Sequence, residues 1–235
     1  MSGGGARLLA ALPRIRYERG AMPSDEPSLA DILDGIGRGH WLPADGGVLV
    51  LPAPSPRSHG VLGFTAHHLV VTDADPDWVH AQLPPGDLSA PLNPPFLDTL
   101  CARTGRRVNN LDLVTVASAL PGPPELPLDE LAASDHPRVR RALRYRDEVR
   151  VWTAASAVLI LSRGVAGRWE LAVEVDEEAR GRGLGRALVA AARHLVPDGA
   201  LLWAQVAPGN AASVRAILAA GFTPVGAEAL LVPTG

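Results

Sequence analysis

The sequence predicts an α/β (α+β) chain built around a mixed sheet whose strands are mostly antiparallel. The chain has 235 residues, of which 47% are hydrophobic and 20% charged, enough apolar side chain for a sizeable core. Three apolar segments, 148–156, 157–165 and 168–175, follow one another with short connections, as in an antiparallel meander. Helical and strand-like segments then alternate to the end of the chain, and a smaller α/β region precedes them.

The N-terminal half opens with a Gly-rich, Arg-containing stretch, residues 1–24, which we expect to be a flexible extension. A short helix is expected from Ser28 to Ile36, with Ser28 as its N-cap. Later segments alternate in type: strands over "GGVLVLP" and "GVLGFTAHHLVVTD", helices over "DPDWVHAQL" and "PPFLDTLCARTG", and a strand over "VNNLDLVTVAS".

Residues 119–127 carry the clearest boundary signal, because four Pro and one Gly fall within nine residues. We therefore predict an N-terminal α/β region of unknown role at 25–120 and a second domain at 126–235.

The second domain has sharper signals. "LDELAASDHPRVRRALRYR" is helical in character, with an interruption near Pro137. The three meander strands come next, followed by a helix from about Gly183 to Leu195. The remaining expected elements are a strand "LLWAQVA", a helix from Asn210 to Ala220, and a final strand pair, "FTPVG" and "AEALLV".

Composition excludes several classes of protein. The net charge of −3 and the pI of about 6.2 argue against nucleic acid as the main partner. All 22 basic residues are Arg, so lysine Schiff-base chemistry is excluded. The single cysteine, Cys101, excludes an internal disulfide and a Cys-rich metal site, and no metal is expected. Without a long apolar run or a clean signal peptide, we expect no membrane span and a location in the cytoplasm.

The most informative segment is "VEVDEEARGRGLGR", where an apolar strand ends, a glycine-rich turn follows, and an apolar-striped helix begins. A helix N-terminus presents unpaired N–H groups and a partial positive charge. Glycines there let a phosphate approach the backbone, and arginines add positive charge. The turn therefore predicts a diphosphate site, formed by Arg180, Gly181, Arg182, Gly183, Leu184, Gly185 and Arg186.

Two common nucleotide motifs do not fit this segment. A P-loop needs a Gly-Lys-Ser/Thr sequence, and the chain has no Lys. A dinucleotide-binding fingerprint needs a third glycine and alternating βαβ units, whereas the preceding strands form hairpins.

The segment resembles the acyl-CoA-binding signature of the GNAT N-acetyltransferase superfamily, Arg/Gln-x-x-Gly-x-Gly/Ala, with Arg180, Gly183 and Gly185 in its three positions. The downstream segment "VAPGNAASVRAILAAGF" is similar to the family's next strand and helix. The resemblance extends from about Leu126 to Val232. It implies the GNAT fold for this part, and residues 25–120 are then open to interpretation as a degenerate GNAT-like half or a substrate-gating module.

The resemblance also implies a function. Acetyl-CoA would be the acyl donor, and a primary amine would attack its thioester directly, so the chain would be an N-acetyltransferase. The backbone from Val173 to Val175 would pair with the pantetheine arm and polarise the thioester carbonyl. N–H groups from Gly181 to Arg186 would hold the pyrophosphate, and Asn210 and Ser213 would contact the pantetheine or its thiol.

A general base and a general acid are less clearly marked. Glu174 and Glu170 share one strand face and are the candidate bases, with Glu174 favoured because it lies nearer the thioester site. The family often has a Tyr four residues before the closing Gly, where this chain has Ile217. A non-catalytic acyl-CoA-binding or sensor module is therefore one alternative, and an interaction scaffold is another.

Three further points stay open. The six arginines from Arg138 to Arg150 form either a solvated helix face or a surface for an acidic substrate. The identity of the amine acceptor and the oligomeric state, for which a homodimer is one alternative, are not fixed by the sequence.

Overall fold

The computed structural model describes residues 27–234, so the extension expected at 1–24 lies outside the described residues. The six helices in this range are α1 (Leu29–Gly37), α2 (Pro76–Ala81), α3 (Pro94–Thr104), α4 (Pro137–Tyr145), α5 (Leu184–Ala192) and α6 (Ala211–Ala219). Its ten strands are β1 (Val48–Leu51), β2 (Gly60–Phe64), β3 (His67–Val71), β4 (Arg106–Ser118), β5 (Asp129–Leu131), β6 (Asp147–Thr153), β7 (Ala157–Arg163), β8 (Trp169–Val175), β9 (Leu201–Val206) and β10 (Thr223–Pro233).

Most element boundaries agree with the sequence because capping and turn residues mark them. Ser28 caps α1, with its side chain accepting a hydrogen bond from the N–H of Asp31 and the Asp31 carboxylate bonding back. Asp75 caps α2 through the N–H of Trp78. Gly105 ends α3 in the left-handed conformation, with φ of 65°. The predicted meander is confirmed, since β6, β7 and β8 pair antiparallel in chain order.

Two local predictions are wrong. The segment expected to be an interrupted helix before Pro137 contains the short strand β5, which pairs with β6, and α4 begins at Pro137 itself. Pro137 occupies the first helical turn, where its missing N–H costs nothing, so it starts the helix instead of interrupting it. The expected final strand pair is the single strand β10, in which register shifts near Gly226 and Leu230 take the place of a turn.

All ten described strands form one sheet, in the order β1-β3-β2-β10-β4-β9-β8-β7-β6-β5. Strand β4 precedes the 119–127 segment in the chain, yet it lies between β9 and β10 and pairs antiparallel with both. The two predicted regions therefore share a sheet, and their division into domains stays a prediction.

Helices cover both faces of the sheet. On one face, α1 packs against apolar side chains of β4 and β9, and α4 packs against β6 and β7. On the other face, α5 and α6 pack over β7, β8 and β9, and α3 packs over the N-terminal strands. Alternation along each strand sends successive side chains to opposite faces.

In this described range no helix is long and apolar enough to cross a membrane.

Candidate active site

Strands β8 and β9 separate at the middle of the sheet. They pair in parallel only from Trp169 to Leu171 on β8, opposite Leu202 to Ala204 on β9. Beyond Leu171, β8 keeps its antiparallel partner β7 on one side, but on the other side no strand of residues 27–234 pairs with it. The β9-facing edge of residues 172–175 is therefore available to pair with an extended ligand.

A cavity of about 370 Å³ lies at this separation. Its walls include Val173, Val189 and Ile217 from the face that carries α5 and α6. They also include Asp112 of β4 and Gln205 of β9, whose positions in the strand alternation place their side chains on the opposite face of the sheet. Because residues of both faces line it, the cavity passes through the gap between the strands.

The glycine turn follows β8 directly and leads into α5. Gly181 and Gly183 have φ of 77° and 86°, in the left-handed region that favours glycine, and Gly183 is the N-cap of α5. Gly185 lies in the first helical turn without a positive φ. A Cβ there would meet only Val175 Cγ2 at 3.8 Å. No contact among the described residues requires glycine at 185, so the space beside its backbone is open to a ligand.

The arginines of the turn have different surroundings. Arg180 donates from Nε to the carbonyl of Val175 at 3.0 Å, which ties the turn to the end of β8. Arg182 and Arg186 are exposed, and within residues 27–234 neither has a carboxylate within ion-pair distance. The N-terminus of α5 therefore carries two guanidinium groups that no carboxylate in the described range contacts within 4 Å.

The residues predicted at the far wall of the site lie together. Asn210 caps α6, its side-chain oxygen accepting a hydrogen bond from the N–H of Ser213 at 3.1 Å. Both residues line the cavity with Val173. Ile217 is buried in the same wall, so the position that often carries a Tyr in the family is apolar here.

The two glutamates of β8 are both ion-paired. Glu174 binds the Nε of Arg138 at 2.7 Å, and this hydrogen bond lowers the pKa of the carboxyl despite partial burial. Burial opposes the ionisation of Glu170, but Arg146 and Arg168 outweigh it and hold its pKa below the usual range. A lowered pKa makes each carboxylate a weaker proton acceptor, so neither shift supports the predicted role of general base.

Glu170 belongs to a buried charge cluster beside the cavity. Arg168 Nε lies 2.8 Å from Glu170, and its Nη2 lies 2.8 Å from Glu228 of β10. Arg146 binds the other oxygen of Glu170 at 2.9 Å. A Cβ on Gly164 would overlap the Glu170 carboxylate, so glycine is required there. The cluster joins β8 to β10 through side chains of opposite charge.

Asp112 of β4 is a carboxylate that the sequence did not single out. It lines the cavity and accepts a hydrogen bond from Asn110 Nδ2 at 2.7 Å, and within the described residues it has no ion pair. Burial raises its pKa above the usual range, although the bond from Asn110 and the charges of Arg141 and Arg146 act against the shift. The only sequence signal was a polar residue at an inward-facing position of a predicted strand.

Gln205 and Arg141 are two further cavity residues without a clear signal in the sequence. Gln205 lies on β9 just past the separation, and its Oε1 faces Arg146 Nη2 at 3.5 Å. Because Arg146 can only donate, this contact identifies the amide oxygen, and the other terminal atom of Gln205 is Nε2. Nε2 is buried without a hydrogen-bond partner in the described part of the chain. Arg141 lies on α4 and lines the cavity beside Asn109.

The structure therefore brings together a parallel strand pair that opens, a glycine turn and the N-terminus of α5. Residues 127–222 match the model of the acetyltransferase (GNAT) family. This part of the chain is therefore a GNAT domain, which confirms the predicted fold and implies acyl-CoA-dependent acetyl transfer in general terms. Among curated protein sequences, none matches the chain.

Solved structures with similar folds include three GNAT proteins. One is described as an acetyltransferase from the GNAT family of Novosphingobium aromaticivorans; it is 18% identical, with 56% of this chain and 69% of that chain covered, at a TM-score of 0.41. A GCN5-related N-acetyltransferase of Kribbella flavida is 17% identical, with 59% and 64% covered, at 0.37. A tandem GNAT protein from the clavulanic acid biosynthesis pathway is 16% identical, with 66% and 67% covered, at 0.37.

Proposed function

We propose that this chain is an acetyl-CoA-dependent N-acetyltransferase that transfers an acetyl group to a primary amine. The observation that carries the proposal is the cavity at the separation of β8 and β9, which is lined by residues of both faces of the sheet and by Val189 of α5, the helix that follows the glycine turn. An acyl-CoA with its pyrophosphate on the turn can reach the gap with its thioester. An amine can then approach the same carbonyl from the opposite face of the sheet.

The chain's own residues suit the parts of acetyl-CoA. The open edge of Val173 to Val175 would pair with the pantetheine amides, and the backbone from Gly181 to Arg186 would bind the pyrophosphate. Asn210 and Ser213 would contact the thiol end from the wall of α6. The cytoplasmic location and the oligomeric state of the protein stay predictions.

We propose Asp112 as the base, in preference to Glu174 and Glu170. The two glutamates are held ionised by arginines, which makes each a weaker proton acceptor, whereas Asp112 lines the cavity without an ion pair in the described range. The Asp112 carboxylate would accept a proton from the substrate ammonium. The freed nitrogen would form the C–N bond to the thioester carbon, and the C–S bond would break.

The proton balance of this reaction needs no further reactant. An ammonium and acetyl-CoA yield an acetamide, CoA with a free thiol, and one proton. Of the two protons that the nitrogen loses, Asp112 accepts the first and returns it to solvent, and the second passes through water to the departing thiolate, since the side chain at 217 is apolar. Positioning and general-base catalysis supply the rate enhancement.

Asp112→Asn tests the assignment of the base. We expect kcat to fall by about a hundredfold or more, because a general base typically contributes that much. Glu174→Gln is the competing variant, and we expect it to change kcat by less than about fivefold, since it breaks only a partly exposed ion pair. The assignment is wrong if the Glu174 variant shows the larger loss.

The stability of the Asp112→Asn variant has a predictable sign. The raised pKa of Asp112 means that the ionised carboxylate is less stable in the folded protein than in the unfolded chain. Ionisation of Asp112 therefore lowers the free energy of unfolding as the pH rises from the unfolded-state pKa through the folded-state pKa. We therefore expect the variant to be more stable than the parent at pH 7. The difference should vanish below the reference pKa of 3.8, as urea unfolding at several pH values would reveal.

Calorimetry with acetyl-CoA and CoA, together with thiol release in a panel of primary amines, tests the function itself. We expect micromolar binding of acetyl-CoA and amine-dependent release of CoA. Binding without turnover of any amine would favour the alternative, a non-catalytic acyl-CoA sensor, for which the apolar Ile217 is the supporting observation. Absence of binding up to millimolar concentration would contradict both.

A further inference from the structure

The acceptor side of the cavity is lined by both signs of charge, and most of these groups are already paired. Four of the arginines that line it bind carboxylates: Arg57 to Asp147 at 2.7 Å, Arg138 to Glu174 at 2.7 Å, Arg146 to Glu170 at 2.9 Å and Arg163 to Glu148 at 3.5 Å. These pairs neutralise most of the rim. The charged groups without such a partner are the ones available to a ligand.

Arg141 is the cavity-lining arginine that differs. Its Nη2 donates to Asn109 Oδ1, a neutral oxygen, at 2.8 Å. Its guanidinium also lies 5.3 Å from the centre of the Tyr145 ring. Within residues 27–234 no carboxylate lies within 4 Å of it, so its charge is oriented by neutral groups and has no counter-ion there. A guanidinium held this way binds carboxylate or phosphate oxygens well.

Asp112 is the matching anion. Its only side-chain hydrogen bond in the described range comes from Asn110, which is next in the chain to the Asn109 that accepts from Arg141, and both Asp112 and Arg141 line the cavity. The two do not form an ion pair with each other, since no contact within 4 Å joins them. The cavity therefore holds one cation and one anion that are near each other and are both free to bind a ligand.

We propose that the amine acceptor is a small zwitterion, a primary amine that also carries a carboxylate or a similar anionic group. Its anionic group binds Arg141, and its ammonium group binds Asp112 next to the thioester. This inference rests on the proposed acetyl transfer and names its substrate class. An amino acid is the simplest member of the class, because its two charged groups are joined by one carbon.

The test compares each L-amino acid with its primary amide, which keeps the amine and the side chain but removes the negative charge. Thiol release gives kcat/KM for both members of each pair. For the preferred amino acid we expect the parent protein to favour the acid over its amide by about tenfold or more, the discrimination typical of a charge-assisted hydrogen bond. We expect Arg141→Gln to lower kcat/KM for the acid by a similar factor and to leave the amide nearly unchanged.

Arg144→Gln is the matched control. Arg144 lies on the same helix and is exposed, and its guanidinium lies 5.4 Å from the centre of the same Tyr145 ring, but it does not line the cavity. Its loss removes the same charge from α4 and should keep the preference for the acid. A drop in preference as large as that of Arg141→Gln would mean that the general field of the helix, and no specific site, selects the anion, and would overturn the proposal.

The remaining outcomes separate this inference from the proposed function. Turnover in which amides equal or exceed their acids overturns the zwitterion proposal and leaves acetyl transfer to amines intact. Turnover of other primary amines but of no amino acid overturns the zwitterion proposal alone, whereas binding of acetyl-CoA with no turnover of any primary amine overturns both the transfer reaction and the substrate class. A preference for the acid that survives Arg141→Gln overturns the assignment of the anion to Arg141.

Discussion

Replacing Gly185 with aspartate is expected to abolish acetyl-CoA binding without unfolding the protein. Position 185 has an ordinary helical backbone, and a side chain there would meet only Val175 Cγ2 at 3.8 Å. An acidic residue in the first turn of a helix interacts favourably with the helix dipole. The same negative charge would stand where the pyrophosphate is proposed to bind. We expect at least about a hundredfold loss of affinity by calorimetry, from repulsion and lost backbone contacts.

The thermal stability of this variant is the second readout, and it should be equal to that of the parent or slightly higher. Glycine in a helix costs about 1 kcal/mol relative to a better helix former, so the substitution removes a defect of the unliganded fold. Ala30→Asp is a matched control, because Ala30 is the exposed second residue of α1, as Gly185 is the second residue of α5. If Gly185→Asp binds acetyl-CoA as well as Ala30→Asp does, the pyrophosphate does not lie at this turn.

Arg168→Met is expected to destabilise the fold strongly. Arg168 is buried and bonds Glu170 and Glu228, which are also buried. Removal of the Arg168 charge leaves the carboxylates of Glu170 and Glu228 buried away from water, without the guanidinium that balances their negative charge. Breaking a buried ion pair from one side typically costs about 3–5 kcal/mol. Urea unfolding at pH 7 measures the loss.

Two comparisons make that result specific to the buried charges. The exposed pair of Arg38 with Asp34 is the control, and Arg38→Met should cost less than about 1 kcal/mol. Lower pH should narrow the gap between Arg168→Met and the parent, because protonation of the abandoned carboxylates removes their buried charge. If Arg168→Met lowers the free energy of unfolding by less than about 1 kcal/mol at pH 7, the buried ion pairs do not stabilise the contact between β8 and β10 as their geometry indicates.

Local signals in the sequence predicted the elements, and long-range pairing decided the site. Ser28, Asp75 and Gly105 act within a few residues of the boundaries that they mark, so they can be recognised directly. The glycine turn was recognisable for the same reason. The partners of Glu170 were not, because Glu228 joins it through Arg168 from another strand, 60 residues further along the chain than Arg168.

Distance along the chain also explains the errors in the prediction. Position 112 reads as one more polar residue in a strand, and only the placement of β4 next to β9 brings it to the cavity. Arg141 is distinguished only by the structure, because the other arginines that line the cavity are paired with carboxylates. The three residues of β5 pair with a strand about twenty positions later in the chain, and this pairing leaves no local pattern. The segment was therefore predicted as helix from its composition alone.

The position of β4 has a consequence for biosynthesis. Thr115 pairs with Ala204, 89 residues later in the chain, and Asp112 lies opposite Glu228, which is further still. A central strand of the sheet is therefore synthesised about midway through the described residues, whereas both of its neighbours arrive only when that synthesis is almost complete. Until then its two edges are open to other chains. Such distant pairings slow folding, so we expect β4 to be a site of aggregation in the nascent chain unless its edges are covered before β9 and β10 are translated.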